Sequence, residues 1–177
     1  SQGQPVNVRI LDAEIEGSTT QGGGVSSVRL NTAGSVFVRG VLSFTGAAAT
    51  DTLAIHAGDS IQVVTDTGGI EMLGNDGNVA GTLDLTAHDI WVADQALLDQ
   101  LNGASNLSDF EDALATNNGD VVPDGYLRAG GIDVTMLGSS LLVQNTGTDA
   151  DPAGLTIGDG GLNIVNQGSE PATVRTS

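Results

Sequence analysis

Thr52-Leu53-Ala54-Ile55-His56-Ala57-Gly58-Asp59-Ser60-Ile61-Gln62-Val63 returns further along the chain as Thr82-Leu83-Asp84-Leu85-Thr86-Ala87-His88-Asp89-Ile90-Trp91-Val92. Thr52, Leu53, Ile55, Ala57 and Asp59 match Thr82, Leu83, Leu85, Ala87 and Asp89 at a shift of 30. Ile61 and Val63 then match Ile90 and Val92 at a shift of 29, so one residue is lost in a turn. The extra length of the unit sits around Leu73-Gly74-Asn75-Asp76-Gly77-Asn78, which is turn chemistry throughout. Within each unit the aliphatic residues alternate with polar ones, the period of a strand. A unit of about 20–30 residues, built from short strands and tight turns, is one coil of a β-solenoid. One coil cannot bury its own inward face. Stacking coils at about 4.8 Å makes parallel sheets and a continuous aliphatic core.

Working outward, the same pattern fills most of the chain. Val36-Phe37-Val38, Leu141-Leu142-Val143, Leu155-Thr156-Ile157 and Leu162-Asn163-Ile164 are short alternating runs, mostly bounded by Gly or Asx turns. A second register is visible at a shift of 21. It lays Val134 on Leu155, Leu141 on Leu162, Val143 on Ile164, Asn145 on Asn166 and Gly147 on Gly168. On that register Asn145 and Asn166 would stack as an amide ladder. An antiparallel sandwich or jelly roll also uses many short strands. The repeats at coil length favour the solenoid, because hairpin folds need no such register. The fold expected is all-β: a parallel β-helix (β-solenoid) forming a single domain over residues 1–177, with a short helical insertion.

The insertion is residues 94–120. Ala96 to Leu101 reads as a short helix carrying Leu97, Leu98 and Leu101. Ser108-x-x-Glu111 forms a capping box for a second helix, with Leu107, Phe110 and Leu114 on one face. This segment is expected to fold over the solenoid flank, with strands resuming near Tyr126-Leu127.

Composition agrees with a narrow stacked core. The 177 residues include 26 Gly and five aromatic residues (three Phe, one Trp, one Tyr). Tight corners need positive φ, and a narrow bore leaves little room for rings. Hydrophobic residues make up 39% of the chain and mean hydropathy is +0.06, which argues against disorder. The net charge is −17, from 22 acidic residues and five arginines: Arg9, Arg29, Arg39, Arg128 and Arg175. That charge excludes nucleic-acid backbones and anionic lipid as natural partners. It reads as an outward coat that keeps a sheet-rich rod soluble. No apolar run approaches the roughly 18–20 residues of a membrane span. The absence of cysteine excludes disulfides, thiolate zinc sites and cysteine nucleophiles.

Chemistry-bearing motifs are sparse. His56 and His88 occupy related but unequal positions in the 30-residue unit and read as solvated surface; two histidines without a third ligand make no zinc site. Asn75-Asp76, Asp149-Ala150-Asp151 and Asp159 offer oxygen ligands of the kind calcium takes. The repeated G-G-x-G-x-D pattern of calcium-binding β-rolls is missing, however: Gly158-Asp159-Gly160-Gly161 is a single imperfect echo. These residues read as turn residues. No G-x-S-x-G occurs, and a chain without lysine has no phosphate-binding P-loop. A polysaccharide lyase would need a cationic group that five scattered arginines supply poorly, while paired carboxylates of a hydrolase stay open among 22 acids. No catalytic, cofactor-binding or metal-binding residue is assigned, and no cofactor is expected.

Three stretches carry a family resemblance. They are G-S-V-F-V-R-G-V-L-S-F-T-G (34–46), D-T-L-A-I-H-A-G-D-S-I-Q-V-V-T-D-T-G-G-I-E-M (51–72) and L-D-L-T-A-H-D-I-W-V-A-D (83–94). They resemble filamentous-haemagglutinin-like proteins, the large bacterial adhesins of the two-partner secretion type. Y-L-R-A-G-G-I-D-V (126–134), L-L-V-Q-N-T-G (141–147) and G-L-T-I-G-D-G-G-L-N-I (154–164) look like the distal part of such proteins, so the resemblance spans roughly residues 30–175. The N-P-N-L and N-P-N-G motifs of the family's secretion domain are missing, which would make this a later segment. A start at Ser1-Gln2-Gly3-Gln4-Pro5 fits a chain cut from a longer precursor. The resemblance implies a right-handed parallel β-helix, exported to the bacterial cell surface or beyond, adhesive or structural, with no catalytic residues to carry over. Expected partners are further copies through open solenoid ends, giving a filament, and host-surface or matrix glycans and proteins. The rival classes are a phage tail-fibre or tailspike segment and a carbohydrate-active β-helix enzyme.

Overall fold

The computed structural model describes residues 5–64, 68–93, 95–103, 126–143, 154–168 and 173–176. Their architecture is a parallel β-solenoid with three faces. The first coil contributes β1 (Val8–Ile10), β2 (Ala13–Glu16) and β3 (Ser27–Thr32), one to each face. The second contributes β4 (Val36–Val38), β5 (Leu42–Thr45) and β6 (Thr52–Ala57). Then follow β7 (Ser60–Val64), β8 (Gly69–Leu73) and the long β9 (Thr82–Ala93), which turns a corner and serves the third face and then the first. Two further long strands, β10 (Tyr126–Val143) and β11 (Gly154–Asn166), turn corners in the same way, and β12 (Thr173–Thr176) begins another turn on the first face.

Every strand-to-strand ladder is parallel, so the stacking register can be read column by column. On the first face Val8, Val36, Ile61, Ile90, Leu141 and Val174 align. On the second, Ala13, Leu42, Ile70, Leu127 and Leu155 align. On the third, the columns are Val28–Leu53–Leu83–Ile132–Leu162 and Leu30–Ile55–Leu85–Val134–Ile164. The 30-residue register is therefore the physical one: Thr52, Leu53 and Ile55 lie on Thr82, Leu83 and Leu85, while Ile61 and Val63 lie on Ile90 and Val92. The residue lost between them is at the corner from third to first face. There Gly58-Asp59 of one coil lies below His88 of the next, and the His88 and Asp89 amides both donate to the Asp59 carbonyl at 2.9 and 3.2 Å.

The 21-residue register is not the one the chain uses. Leu155 stacks on Leu127, Leu162 on Ile132 and Ile164 on Val134, spacings of 28 and 30. Leu141 and Val143 belong to the first face, on Ile90 and Val92. Asn166 is aligned with Met136, which removes the proposed Asn145–Asn166 ladder; Asn145 itself lies outside the described residues. The false register arose because inward aliphatics recur every second residue on all three faces, so strands from different faces match by pattern alone.

The bore is filled by these columns. Val36, Val38, Phe44, Ile55, Ile61, Ile70, Met72, Leu83, Leu85 and Ile90 are all fully buried. One ring fits: Phe44 is aligned with Ile15 below and Met72 above. Corners are made by close backbone approach. A Cβ on Gly40 would lie 1.4 Å from the Leu11 carbonyl of the coil beneath, so only glycine can turn there.

The expected helix is present as α1 (Gln95–Gly103). Leu97, Leu98 and Leu101 are buried against Val64, Ala93 and Leu142, with Trp91 at the margin. These partners lie on the outer surface of the first face, so the helix covers a flank of the solenoid. Asn102 and Gln62 fix it by reciprocal amide hydrogen bonds of 2.9 and 3.0 Å, and the Arg39 guanidinium donates to Gln95 Oε1 at 2.5 Å. The second helix read from Ser108 and Glu111 lies outside the described residues.

Candidate functional site

Among the described residues, the side chains singled out in the sequence do not converge. His56 stands on the third face, where its Nε2 lies 3.2 Å from Asp84 Oδ2 of the next coil. His88 sits at the third-to-first corner with Nδ1 2.8 Å from its neighbour Asp89. The two histidines thus serve separate local contacts. Asp76 is spent inside its own turn, and Asn75 reaches across to another coil. Asp76 accepts from the Asn78 side chain and amide at 2.7 and 3.1 Å, bonds that hold its carboxyl below the ordinary value. Asn75 donates to Thr19 of the first coil. Asp159 lies on β11, and Asp149 and Asp151 lie outside the described residues. Among the described residues, no three His, Asp or Glu side chains come together as a metal site. No helix among them is long and apolar enough to cross a membrane.

Two polar clusters were not evident in the sequence. Asp51 is fully buried at the second-to-third corner. Its carboxylate accepts from the Ser18 amide at 2.9 Å, from the Ser18 hydroxyl at 2.7 and 2.8 Å, and from the Ala48 amide at 3.0 Å. Burial raises its pKa, but the bonds from Ala48 and Ser18 outweigh burial, and the carboxyl is held below 3.8. Asp51 thereby staples the long turn of the first coil to the second. At another corner Ser60 donates to Ser35 at 3.1 Å and Ser35 to Asp59 at 2.8 Å, while Gln62 donates to Ser60 at 3.1 Å. The hydroxyls are used in a chain along the stack, and none of these bonds joins a serine to a histidine. Both clusters are coil-to-coil fasteners.

Among the described residues the outer coils are the least covered part of the stack. Among the described residues β1, β2 and β3 pair only with β4, β5 and β6, and β11 and β12 pair only with β10. Inward residues of the end rungs are less covered than their columns. Val28 and Leu30 are partly exposed below the fully buried Leu83 and Leu85, and Leu162 is 43% exposed although it lies on Ile132. All the strongly exposed large apolar side chains described (Val6, Leu11, Val25, Leu137, Leu162, Val165) lie on or beside these outer coils.

Fold and surface together define a parallel β-solenoid whose coils and flank helix are fastened by short polar bonds. Compared with known protein families, curated proteins and solved structures, the chain matches none.

Proposed function

We propose that this chain is a non-catalytic, extracellular structural or adhesive rod, a solenoid segment of a secreted bacterial adhesin. The observation that supports the reading is that both buried polar clusters among the described residues fasten coils or the flank helix. Asp51, Ser35 and Ser60 are committed to neighbouring coils, Gln62 to Ser60 of its own strand and Asn102 of the flank helix, and His56 and His88 each meet one carboxylate. An enzyme needs convergent acid, base or nucleophile groups around a reacting atom. A rod needs stacked register and a coat that keeps it apart from its neighbours, and a charge of −17 over 177 residues supplies that coat. The family resemblance at residues 34–94 and 126–164 supports export.

Mild protease treatment of intact cells of the producing bacterium, followed by immunodetection, tests this directly. The chain is expected to be removed from the cell surface or found in the medium. Retention inside protease-treated but unbroken cells would overturn the reading.

A further inference from the structure

Asn102 fixes the flank helix and also stands in the sequence context that most readily loses a side-chain amide. Asn-Gly pairs occur at Asn102-Gly103 and Asn118-Gly119, and the second lies outside the described residues. After an asparagine, a residue without a side chain leaves its backbone nitrogen free to reach the asparagine side-chain carbon. The fold has no packing need for glycine at 103. Its φ lies outside the left-handed region, and a Cβ built there would meet nothing within 4 Å. Asn102 and Gly103 are both exposed at the end of α1, so water reaches them.

The Asn102 side chain is nonetheless engaged on both sides of its amide. Its Nδ2 donates to the Leu98 carbonyl at 2.8 Å and to Gln62 Oε1 at 3.0 Å, and its Oδ1 accepts from Gln62 Nε2 at 2.9 Å. The Leu98 carbonyl only accepts, which fixes the nitrogen side of the Asn102 amide and, through it, the orientation of Gln62. Gln62 is buried and also donates to Ser60. Gly103 is helical, and in a helix its amide points at the carbonyl of Asp99, four residues back. The Asn102 side chain is thus held toward Leu98 and Gln62 while the Gly103 nitrogen is bonded along the helix. The two reacting atoms are kept apart, and they meet only when the last turn of α1 opens.

We propose that Asn102 is a modification site, a one-way latch on the flank helix: its amide is lost to attack by the Gly103 nitrogen when α1 undocks, and the product keeps α1 from docking again. The Gly103 nitrogen forms a bond to Asn102 Cγ, the Cγ–Nδ2 bond breaks, and ammonia leaves with the proton of the Gly103 amide. Water then opens the cyclic imide at either carbonyl, giving aspartate or isoaspartate. Water is the co-reactant, and nothing is oxidised or reduced. In the aspartate product an oxygen stands where Nδ2 stood, facing the Leu98 carbonyl and Gln62 Oε1, both acceptors. Only the bond from Gln62 Nε2 is retained. The new charge lies at the C-terminal end of a helix whose last turn holds no basic residue, where the dipole repels it. In isoaspartate the main chain runs through the former side chain, which interrupts the last turn. Each product favours the undocked helix, which uncovers Val64, Ala93 and Leu142. The latch is independent of what the rod adheres to.

Trp91, the one tryptophan of the chain, packs at the margin of the helix cluster and reports docking by its fluorescence. Peptide mapping by mass spectrometry during incubation at mildly alkaline pH reads the exchange of NH2 for OH at Asn102. The exchange is expected to be at least about tenfold slower in the folded protein than in urea, because it waits for local opening. Leu98→Ala should raise the folded rate toward the urea rate. Gly103→Ala should lower the rate in urea and leave Trp91 emission unchanged. Asn102→Asp should red-shift Trp91 emission, and the shift should persist after refolding from urea. Equal rates in folded protein and in urea would overturn the gating, and wild-type emission in Asn102→Asp would overturn the latch. If Leu98→Ala loses its strand circular dichroism, the folded-to-urea ratio of the wild type and the Asn102→Asp emission decide.

Discussion

Leu85 and Leu30 occupy the same column of the third face, with Ile55 between them, yet one is fully buried and the other is not. Residue type and inward position are shared. The difference is that Leu85 has a coil on both sides and Leu30 has one. In a solenoid the core is supplied by neighbours, so stability is a sum of coil-to-coil interfaces, with end coils holding half as many.

Substitution along one column sharpens this comparison most strongly. Leu85→Ala is expected to cost about 2–5 kcal/mol in urea unfolding, through lost burial and an unfilled cavity. Leu30→Ala should cost under about 1.5 kcal/mol, because its site is already partly open to water. Equal losses at the two positions would break the account of the core. Detaching the flank helix comes next. Leu98→Ala is expected to cost about 2–3 kcal/mol and to raise binding of an apolar dye, since Val64, Ala93 and Leu142 lose their cover.

The Asp51 staple ranks third. Asp51→Ala leaves the Ser18 and Ala48 amides without their acceptor and should cost about 1–3 kcal/mol at pH 7. The folded carboxyl titrates below 3.8, so its stabilisation is complete above that value and is lost as pH falls through the folded pKa. Unfolding midpoints between pH 7 and pH 3 should therefore fall in the wild type more steeply than in Asp51→Ala. Parallel curves would remove Asp51 from the account. The smallest effect is expected at Asn102→Ala, about 1 kcal/mol, from the lost amide pair with Gln62.

The sequence exposed the fold where two coils share their corners. Residues 52–63 and 82–92 run through the same third-to-first corner, so their match at 30 and 29 residues reflects true stacking. The match of 134–147 with 155–168 compared different faces and was wrong, because alternation alone does not say which face a strand serves. Coil length also varies: Val28 to Leu53 is 25 residues, Leu53 to Leu83 is 30, and Leu83 to Ile132 spans the insertion. The helix was legible from Leu97, Leu98 and Leu101 at helical spacing. Asp51 was not, since an Asp after a Thr in a turn carries no local sign of burial. Its partners Ser18 and Ala48 are brought to it only by stacking and corner geometry.

The stacking register itself is the central claim, and a chain without cysteine lends itself to spin labelling. Asp133 and Asn163 are exposed and aligned on adjacent coils of the third face, whereas Thr135 and Thr156, 21 residues apart, are aligned with different partners. Labels on Asp133→Cys with Asn163→Cys are predicted to show strong dipolar broadening, as expected for neighbouring strands about 4.8 Å apart. Labels on Thr135→Cys with Thr156→Cys should show much less. The reverse pattern, or sharp lines from both pairs, would contradict the solenoid register described above.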